Sequence, residues 1–279
     1  MTILDTIVTQ KRQEVARRRA ITPLRQLQKW PLFNRQPLSA SRAITSEQSS
    51  GIIAEFKRKS PSRGVINGQI SPYDTTTGYV RAGAACLSVL TDGPFFGGYV
   101  DDLIQARLAN PTTPILRKDF IIDSYQIVEA KAIGADFILL IAACLKPEEM
   151  VEFGQIAHAL GMEVLLEVHD EAELDSHLHD SVDMVGVNNR NLNTFVTDMN
   201  TSVRLAPLIP SDFVKVSESG LQRADSIVAL KELGYQGFLI GESLLNTPSP
   251  EGALRTLVAN VSPPVTGSSC LFARFPLLF

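Results

Sequence analysis

Cysteine is scarce in this 279-residue chain. Cys86, Cys144 and Cys270 lie far apart and form no C-x-x-C pair. That excludes a disulfide scaffold and a cysteine-based zinc site, and it fits small core residues in a reducing compartment. Histidine is almost as scarce. Of His158, His169, His177 and His179, the last two stand two apart in a helical stretch, so they diverge and cannot share a metal; both read as surface residues. No metal is expected. Charge of one sign is lacking as well: a net charge of −4 argues against nucleic acid as a partner. No apolar run reaches membrane-spanning length, and Asp5 and Lys11 interrupt the N-terminus, which therefore does not read as a secretion signal. No membrane contact is expected, and the expected location is cytoplasmic. The Asn200-Thr201-Ser202 sequon has no meaning without secretion. There is no G-x-G-x-x-G fingerprint, no Walker sequence and no nucleophile elbow.

What is present is a period. Short apolar runs begin near Ile52, Cys86, Ile115, Phe137, Glu163, Met184, Val214 and Gly237, about 26 residues apart. Helical stretches separate them: Tyr73–Ala82, Asp101–Asn110, Tyr125–Ile133, Pro147–Leu160, Glu171–Leu178, Thr201–Leu208 and Arg223–Leu233. Glycines 83, 134, 161 and 234 close several of these helices before the next strand. Alternation at this spacing implies parallel βαβ units, and eight of them fit an α/β fold, the (β/α)8 TIM barrel. A doubly wound open sheet is the alternative, and the missing glycine fingerprint counts against it.

About fifty residues precede the first strand. Ile3, Leu4, Ile7, Val8 and Val15 fall on one side of a helix over residues 2–20. Arg17, Arg18 and Arg19 read as its solvated end. Thr22-Pro23 reads as the cap of a second helix running to Trp30, and residues 31–50 as loop. The expected organisation is an N-terminal helical extension (1–50), a catalytic barrel (51–260) and an irregular apolar tail (261–279). The expected state is a monomer, with the tail as a patch for weak self-association or for docking on the barrel.

In such a barrel chemistry sits where strands end. The first strand carries Glu55 and Lys57, two residues apart and so on one face. It leads into a Ser/Pro/Gly turn containing Ser60. The third ends at Lys118, the fifth at Glu167, the sixth at Asn188 and Arg190, and the seventh at Glu218. Two ammonium groups and three carboxylates converging on one mouth constitute an acid–base site, because such groups push their pKa values apart. Ser219-Gly220 and Gly241-Glu242, after strands seven and eight, occupy the usual phosphate position of the fold. Phe95, Phe96 and Phe120 at loop ends are either core or a flat wall for an aromatic substrate.

These residues resemble the indole-3-glycerol-phosphate synthase family of tryptophan biosynthesis over residues 1 to about 258. The resemblance rests on Ile53-Ala54-Glu55-Phe56-Lys57 with Ser60-Pro61-Ser62-Arg63-Gly64, then Leu116-Arg117-Lys118-Asp119-Phe120-Ile121 and Leu166-Glu167-Val168-His169. It continues with Gly186-Val187-Asn188-Asn189-Arg190-Asn191-Leu192, Ser217-Glu218-Ser219-Gly220 and Gly237-Phe238-Leu239-Ile240-Gly241-Glu242-Ser243-Leu244. The N-terminal extension is also similar to that family. The resemblance implies a carboxy-lyase acting on a phosphorylated anthranilate–ribulose adduct without a cofactor. By carry-over, Lys118 is the general acid and Glu167 the base. Lys57 pairs with the substrate carboxylate, Glu55 holds the lysine network, and Asn188 and Glu218 orient hydroxyls and lysines. Arg190 favours the anthranilate carboxylate. Ser60, Ser219, Gly220, Gly241 and Glu242 (through its N–H) grip phosphate, and Phe96, Phe120 and Leu139 wall the ring. The tail departs from the family pattern. A sister isomerase barrel would need a Cys/Asp pair at strand ends, which is missing. A non-catalytic sugar-phosphate binder would not need two lysines and a base in its mouth.

Overall fold

The computed structural model describes residues 2–192 and 194–261. Eight parallel strands close into a barrel: β1 Ile52–Phe56, β2 Cys86–Leu90, β3 Ile115–Lys118, β4 Phe137–Ile141, β5 Glu163–Val168, β6 Met184–Asn188, β7 Val214–Glu218 and β8 Gly237–Ile240, with β8 pairing back onto β1. Their first residues are the eight read from the sequence. A run apolar on both faces can only sit between a packed interior and a helical layer.

The pleat divides each strand. Ile52, Ala54 and Phe56 of β1 pack outward with Ile138, Leu140, Val164 and Leu166, against the helices. Ile53, Leu116, Phe137, Leu139, Leu165, Met184, Val216 and Leu239 fill the barrel. Glu55, Lys118, Glu167 and Glu218 stand in the inward register as charged exceptions at its upper end.

The outer layer comprises α4 Pro72–Arg81, α5 Val100–Ala109, α6 Ser124–Ile133, α7 Pro147–Ala159, α8 Glu171–His177, α9 Asn200–Leu205, α10 Ala224–Glu232 and α11 Pro250–Val261. Gly83, Gly134, Gly161 and Gly234 all have positive φ after their helices, as the sequence implies. Residue 261 closes α11, so the expectation of an irregular, self-associating tail otherwise falls outside the described residues. Cys270 does too.

The first fifty residues run from one end of the barrel to the other. Helix α1 (Ile3–Ile21) opens on a capping box in which Thr2 and Asp5 satisfy each other's N–H groups. It lies over the mouth, where Ile3, Leu4 and Ile7 join the lining of a cleft. Thr22 closes α1 rather than opening the next helix. Pro23 precedes the short α2 (Leu24–Leu27), which has no side-chain cap and stops before Trp30. Residues 31–50 are not all loop. A helix, α3 (Ala40–Thr45), closes the opposite end of the barrel, with Ala40 and Ile44 buried among the interior residues. Ser39 caps it, and Ser39 and Ser41 both bind the Glu163 carboxylate at the base of β5. The Pro/Ser composition that suggested loop is here cap chemistry.

Candidate active site

Lys118 organises the mouth. Its Nζ lies 2.8 Å from Glu167 Oε2 and 2.7 Å from Glu218 Oε2, so β3, β5 and β7 meet at one ammonium. Burial disfavours that charge, but Glu167, Glu218 and Glu55 outweigh burial and raise the lysine above its ordinary range. Lys57 makes the second pair, 2.8 Å from Glu55 Oε1. Glu55 Oε2 is 3.4 Å from the Ser88 hydroxyl of β2. Asn188 Nδ2 donates to Glu167 Oε1 at 3.0 Å, and its Oδ1 accepts the N–H of Arg190.

The two carboxylates on Lys118 are not equivalent. Burial opposes charge on Glu167, but Lys118 and then His169 more than offset it and hold its pKa below the ordinary range. Burial drives Glu218 the other way; Lys118 pulls it down, Glu167 and Glu55 push it up, and it stands above the ordinary range. Glu218 Oε1 is buried without a hydrogen-bond partner, which suits a carboxyl that holds a proton.

Two clefts adjoin this cluster. One, of about 130 Å³, is lined by Leu90, Phe96, Phe120, Leu139, Ile141 and the three apolar residues of α1. The Phe96 and Phe120 rings are 6.0 Å apart at 40°. The other, of about 530 Å³, is polar and bounded by Ser219, Gly220, Gly241, Glu242, Ser243 and Arg63. Lys57, Arg190 and Ser219 border both.

The polar cleft is built from backbone. Ser219 adopts φ 67° although it is not glycine, a strain that clusters at functional sites. Gly220 follows with φ 79°. At Gly241 a Cβ would stand 2.8 Å from Glu55 Oε1 and 2.9 Å from Glu55 Cβ, so only glycine lets β8 approach β1 here. The turn Glu242–Leu245 then presents its first N–H groups, which no intrahelical acceptor can satisfy. We expect Gly241→Ala to displace Glu55 and raise KM about tenfold, a loss of about 1.4 kcal/mol of binding; steady-state kinetics would check it, and an unchanged KM would refute the close-approach argument.

The structure thus brings Glu55, Lys57, Lys118, Glu167, Asn188 and Glu218 together, and it sets Phe96, Phe120 and Leu139 on the apolar side. Arg190 sits on the boundary, donating to the Ser62 hydroxyl at 3.0 Å and reaching Glu242 at 3.4 Å. Glu242 also pairs with Arg63 at 2.9 Å, so its side chain neutralises the guanidiniums beside the polar cleft. Ser60 lines the apolar cleft, and Ser62 borders both clefts.

Several residues escape the sequence reading. His177 is buried, with Nε2 3.0 Å from Leu145 O, rather than at the surface; only His158 and His179 are exposed. Arg18 and Arg19 are not a merely solvated end, since they pair with Glu129 and Asp123 of the barrel. Lys11 is 2% exposed and lies 2.8–2.9 Å from Asp119, Asp92 and Glu14. Asp119 follows Lys118, and Asp92 accepts the N–H groups of Phe95 and Phe96. The available signal was the spacing Ile7–Lys11–Val15, which puts Lys11 on the buried stripe of α1.

Among the described residues, no group of three or more His, Cys, Asp or Glu is placed to hold a metal, and no helix is long and apolar enough to cross a membrane.

Comparison with known proteins gives one family. The family model "Indole-3-glycerol phosphate synthase" matches residues 4–257. The synthase of that name from Bacteroides thetaiotaomicron is 47% identical over 260 residues, covering 92% of this chain and 97% of its own. That of Paracidovorax citrulli is 44% identical over 264 residues, covering 92% and 99%. Among solved structures, 3-hexulose-6-phosphate synthase from Salmonella typhimurium superposes with a TM-score of 0.61 at 12% identity, over 75% of this chain and 97% of its own, a likeness of fold.

Proposed function

The chain belongs to the indole-3-glycerol phosphate synthase family, and we infer that the residues gathered at its barrel mouth divide the ring closure of that enzyme among themselves. The reaction is a carboxy-lyase step of tryptophan biosynthesis: 1-(o-carboxyphenylamino)-1-deoxyribulose 5-phosphate closes, loses CO2 and then water, and gives indole-3-glycerol phosphate.

The observation that carries the residue assignment is the Lys118 ammonium held between Glu167 and Glu218, with an apolar cleft on one side and a polar cleft on the other. In our reading the anthranilate ring enters between Phe96, Phe120 and Leu139. The phosphate occupies the polar cleft against the backbone of Ser219, Gly220, Gly241 and Glu242. Lys57 and Arg190, on the boundary, meet the anthranilate carboxylate. Ser60 then belongs beside the ring and no longer with the phosphate.

The carboxylate-bearing ring carbon attacks the ribulose C2 carbonyl. Negative charge develops on its oxygen, and Lys118 supplies the proton; a developing alkoxide is a stronger base than even a lysine of raised pKa. CO2 departs and the ring regains its electrons. The new hydroxyl then leaves as water, while Glu167, kept ionised by its neighbours, removes the proton that restores the indole. The balance is one proton taken from solvent per turnover: the alkoxide and the departing hydroxyl each take one, Glu167 removes one, and the carboxylate leaves as CO2 from a carbon that has gained a carbon–carbon bond. Glu55 fixes Lys57, and Asn188 and Glu218 orient the ribulose hydroxyls and Lys118.

Every group named comes from one barrel, so we take one chain as the acting unit, with residues 1–50 as an extension on the barrel 51–260. The spread of its cysteines fits a cytoplasmic setting. The test is turnover of the carboxyphenylamino-deoxyribulose phosphate, followed by the indole fluorescence of the product. Binding without turnover would overturn the catalytic assignment.

For Glu167→Gln we expect kcat to fall by about 10²–10³-fold with substrate affinity within a few-fold. In a single turnover CO2 should appear ahead of indole fluorescence, since decarboxylation precedes the step that needs the base. Simultaneous appearance at an unchanged rate would remove Glu167 from that role.

A further inference from the structure

Lys118 touches two carboxylates at nearly equal distance, so the lysine alone does not decide which of them is the base. The difference lies behind them. Glu218 leaves Oε1 buried and unpartnered. Glu167 Oε1 instead accepts from Asn188 and faces Nε2 of His169 at 3.5 Å. His169 follows the last residue of β5, and its side chain is only 13% exposed. Its other ring nitrogen, Nδ1, lies 3.0 Å from Glu173 Oε2, an oxygen that also accepts the His169 backbone N–H at 2.8 Å. A carboxylate can only accept, so Nδ1 carries its proton toward Glu173. The ring is thereby fixed, and Nε2, buried and without a hydrogen bond, lies 3.5 Å from Glu167 Oε1.

We propose that His169, oriented by Glu173, is the positioning residue that makes Glu167 rather than Glu218 the base of the reaction. With Nε2 protonated, the imidazolium charge 3.5 Å from Glu167 Oε1 favours the ionised carboxylate, so the proton shared around Lys118 resides on Glu218. This rests on the assignment of Glu167 as base given above.

The charged and titratable groups around the ring favour that state. Glu167 comes from β5, Glu173 from α8 and Glu218 from β7; Lys118 of β3 is engaged by the other oxygen of Glu167. The Cys144 thiol, on the turn after β4, feels both Glu167 and Glu173, and burial keeps it neutral by pushing it up to about 12. Burial works against charge on His169, but Glu173, Glu167 and Glu218 outweigh it and raise its pKa. The oxygen of Glu173 that holds Nδ1 belongs to a side chain 22% exposed at the first turn of α8, so the orienting group is fixed by the helix and independent of the substrate.

The test is the pH profile of kcat for His169→Gln and Glu173→Gln beside the unaltered protein. His169→Gln should raise the midpoint of the acid limb by about one pH unit, leaving the plateau above it within about threefold. Glu173→Gln should move it the same way by less. A loss of equal factor at every pH, or an effect on KM alone, would mean a merely structural histidine and overturn the proposal. Nitrogen NMR of labelled histidine gives a second readout that needs no turnover. The His169 titration should move to lower pH in Glu167→Gln; an unmoved midpoint also overturns the proposal. If the unaltered protein makes no indole-3-glycerol phosphate, the ring-closure assignment falls, while the NMR titration still decides whether His169 and Glu167 are coupled.

Discussion

Lys118→Ala is expected to lower kcat by about 10²–10⁴-fold, the contribution of a positioned general acid, while the dissociation constant of the substrate changes by only a few-fold. The separation follows from the geometry. The ring is walled by Phe96, Phe120 and Leu139, and the phosphate lies against backbone from β7 and β8, so neither anchor depends on Lys118. What the lysine alone supplies is a proton at the reacting carbonyl. Its removal also frees Glu167 and Glu218 from their common cation. Lys118 lowers the pKa of Glu218, so without it the Glu218 carboxyl should hold its proton to still higher pH. A carboxyl whose folded pKa lies above its unfolded value binds more protons folded than unfolded in the interval between them, so stability falls as pH rises through that interval. The Lys118→Ala protein should therefore lose stability more steeply than its parent from the ordinary carboxylate range up to and past neutrality. Urea midpoints across that range would measure it. A variant that binds substrate poorly but turns over bound substrate at the normal rate would show that Lys118 anchors and does not donate.

The parts that were legible in the sequence have one cause: the barrel interior is dry. Strands apolar on both faces stand out as runs, and every strand start was placed correctly. Glu55, Lys118, Glu167 and Glu218 interrupt such runs on the inward face and meet at the rim, whereas Arg117 of β3, on the other face, is met by Glu129 of α6. Residues whose partners come from a distant helix were illegible for the complementary reason. His177 looks like surface because its helix is mostly polar; the Leu145 carbonyl that accepts it is 32 residues away. Helix α3 is six residues long, and only the Glu163 carboxylate beneath β5 shows what its cap Ser39 and its Ser41 bind. Ser60 and Ser62 are separated by one residue in a hairpin of Lys59–Ser60 and Gly64–Val65, yet Ser60 lines only the apolar cleft while Ser62 borders both.

Lys11 is the extreme case, and its replacement by Met should have the largest effect on stability, about 3–5 kcal/mol, because it leaves buried carboxylates without their cation. Asp119 would keep Arg117, 3.1 Å away, and the Thr91 hydroxyl; Asp92 would lose the ion pair that crosses from α1. The double variant Lys11→Met/Asp92→Asn should then regain part of the loss. The sign with pH is fixed. Burial raises the pKa of Asp119, but Lys11 and Arg117 outweigh it and hold that pKa well below the ordinary carboxylate value, so its contribution is present above that value and disappears as pH falls toward its folded pKa. The gap between parent and Lys11→Met in urea midpoints should therefore narrow in acid; a constant gap would mean that packing, and not charge, is what was lost. The same ion cluster ties three walls of the apolar cleft together. Helix α1 carries Ile3, Leu4 and Ile7, Asp92 caps the turn that carries Phe96, and Asp119 stands between Lys118 and Phe120. A loosened α1 should cost ring binding before it costs chemistry, so KM should rise by a larger factor than kcat falls. The opposite pattern would place the strain of the variant on Lys118 itself, through the peptide bond it shares with Asp119.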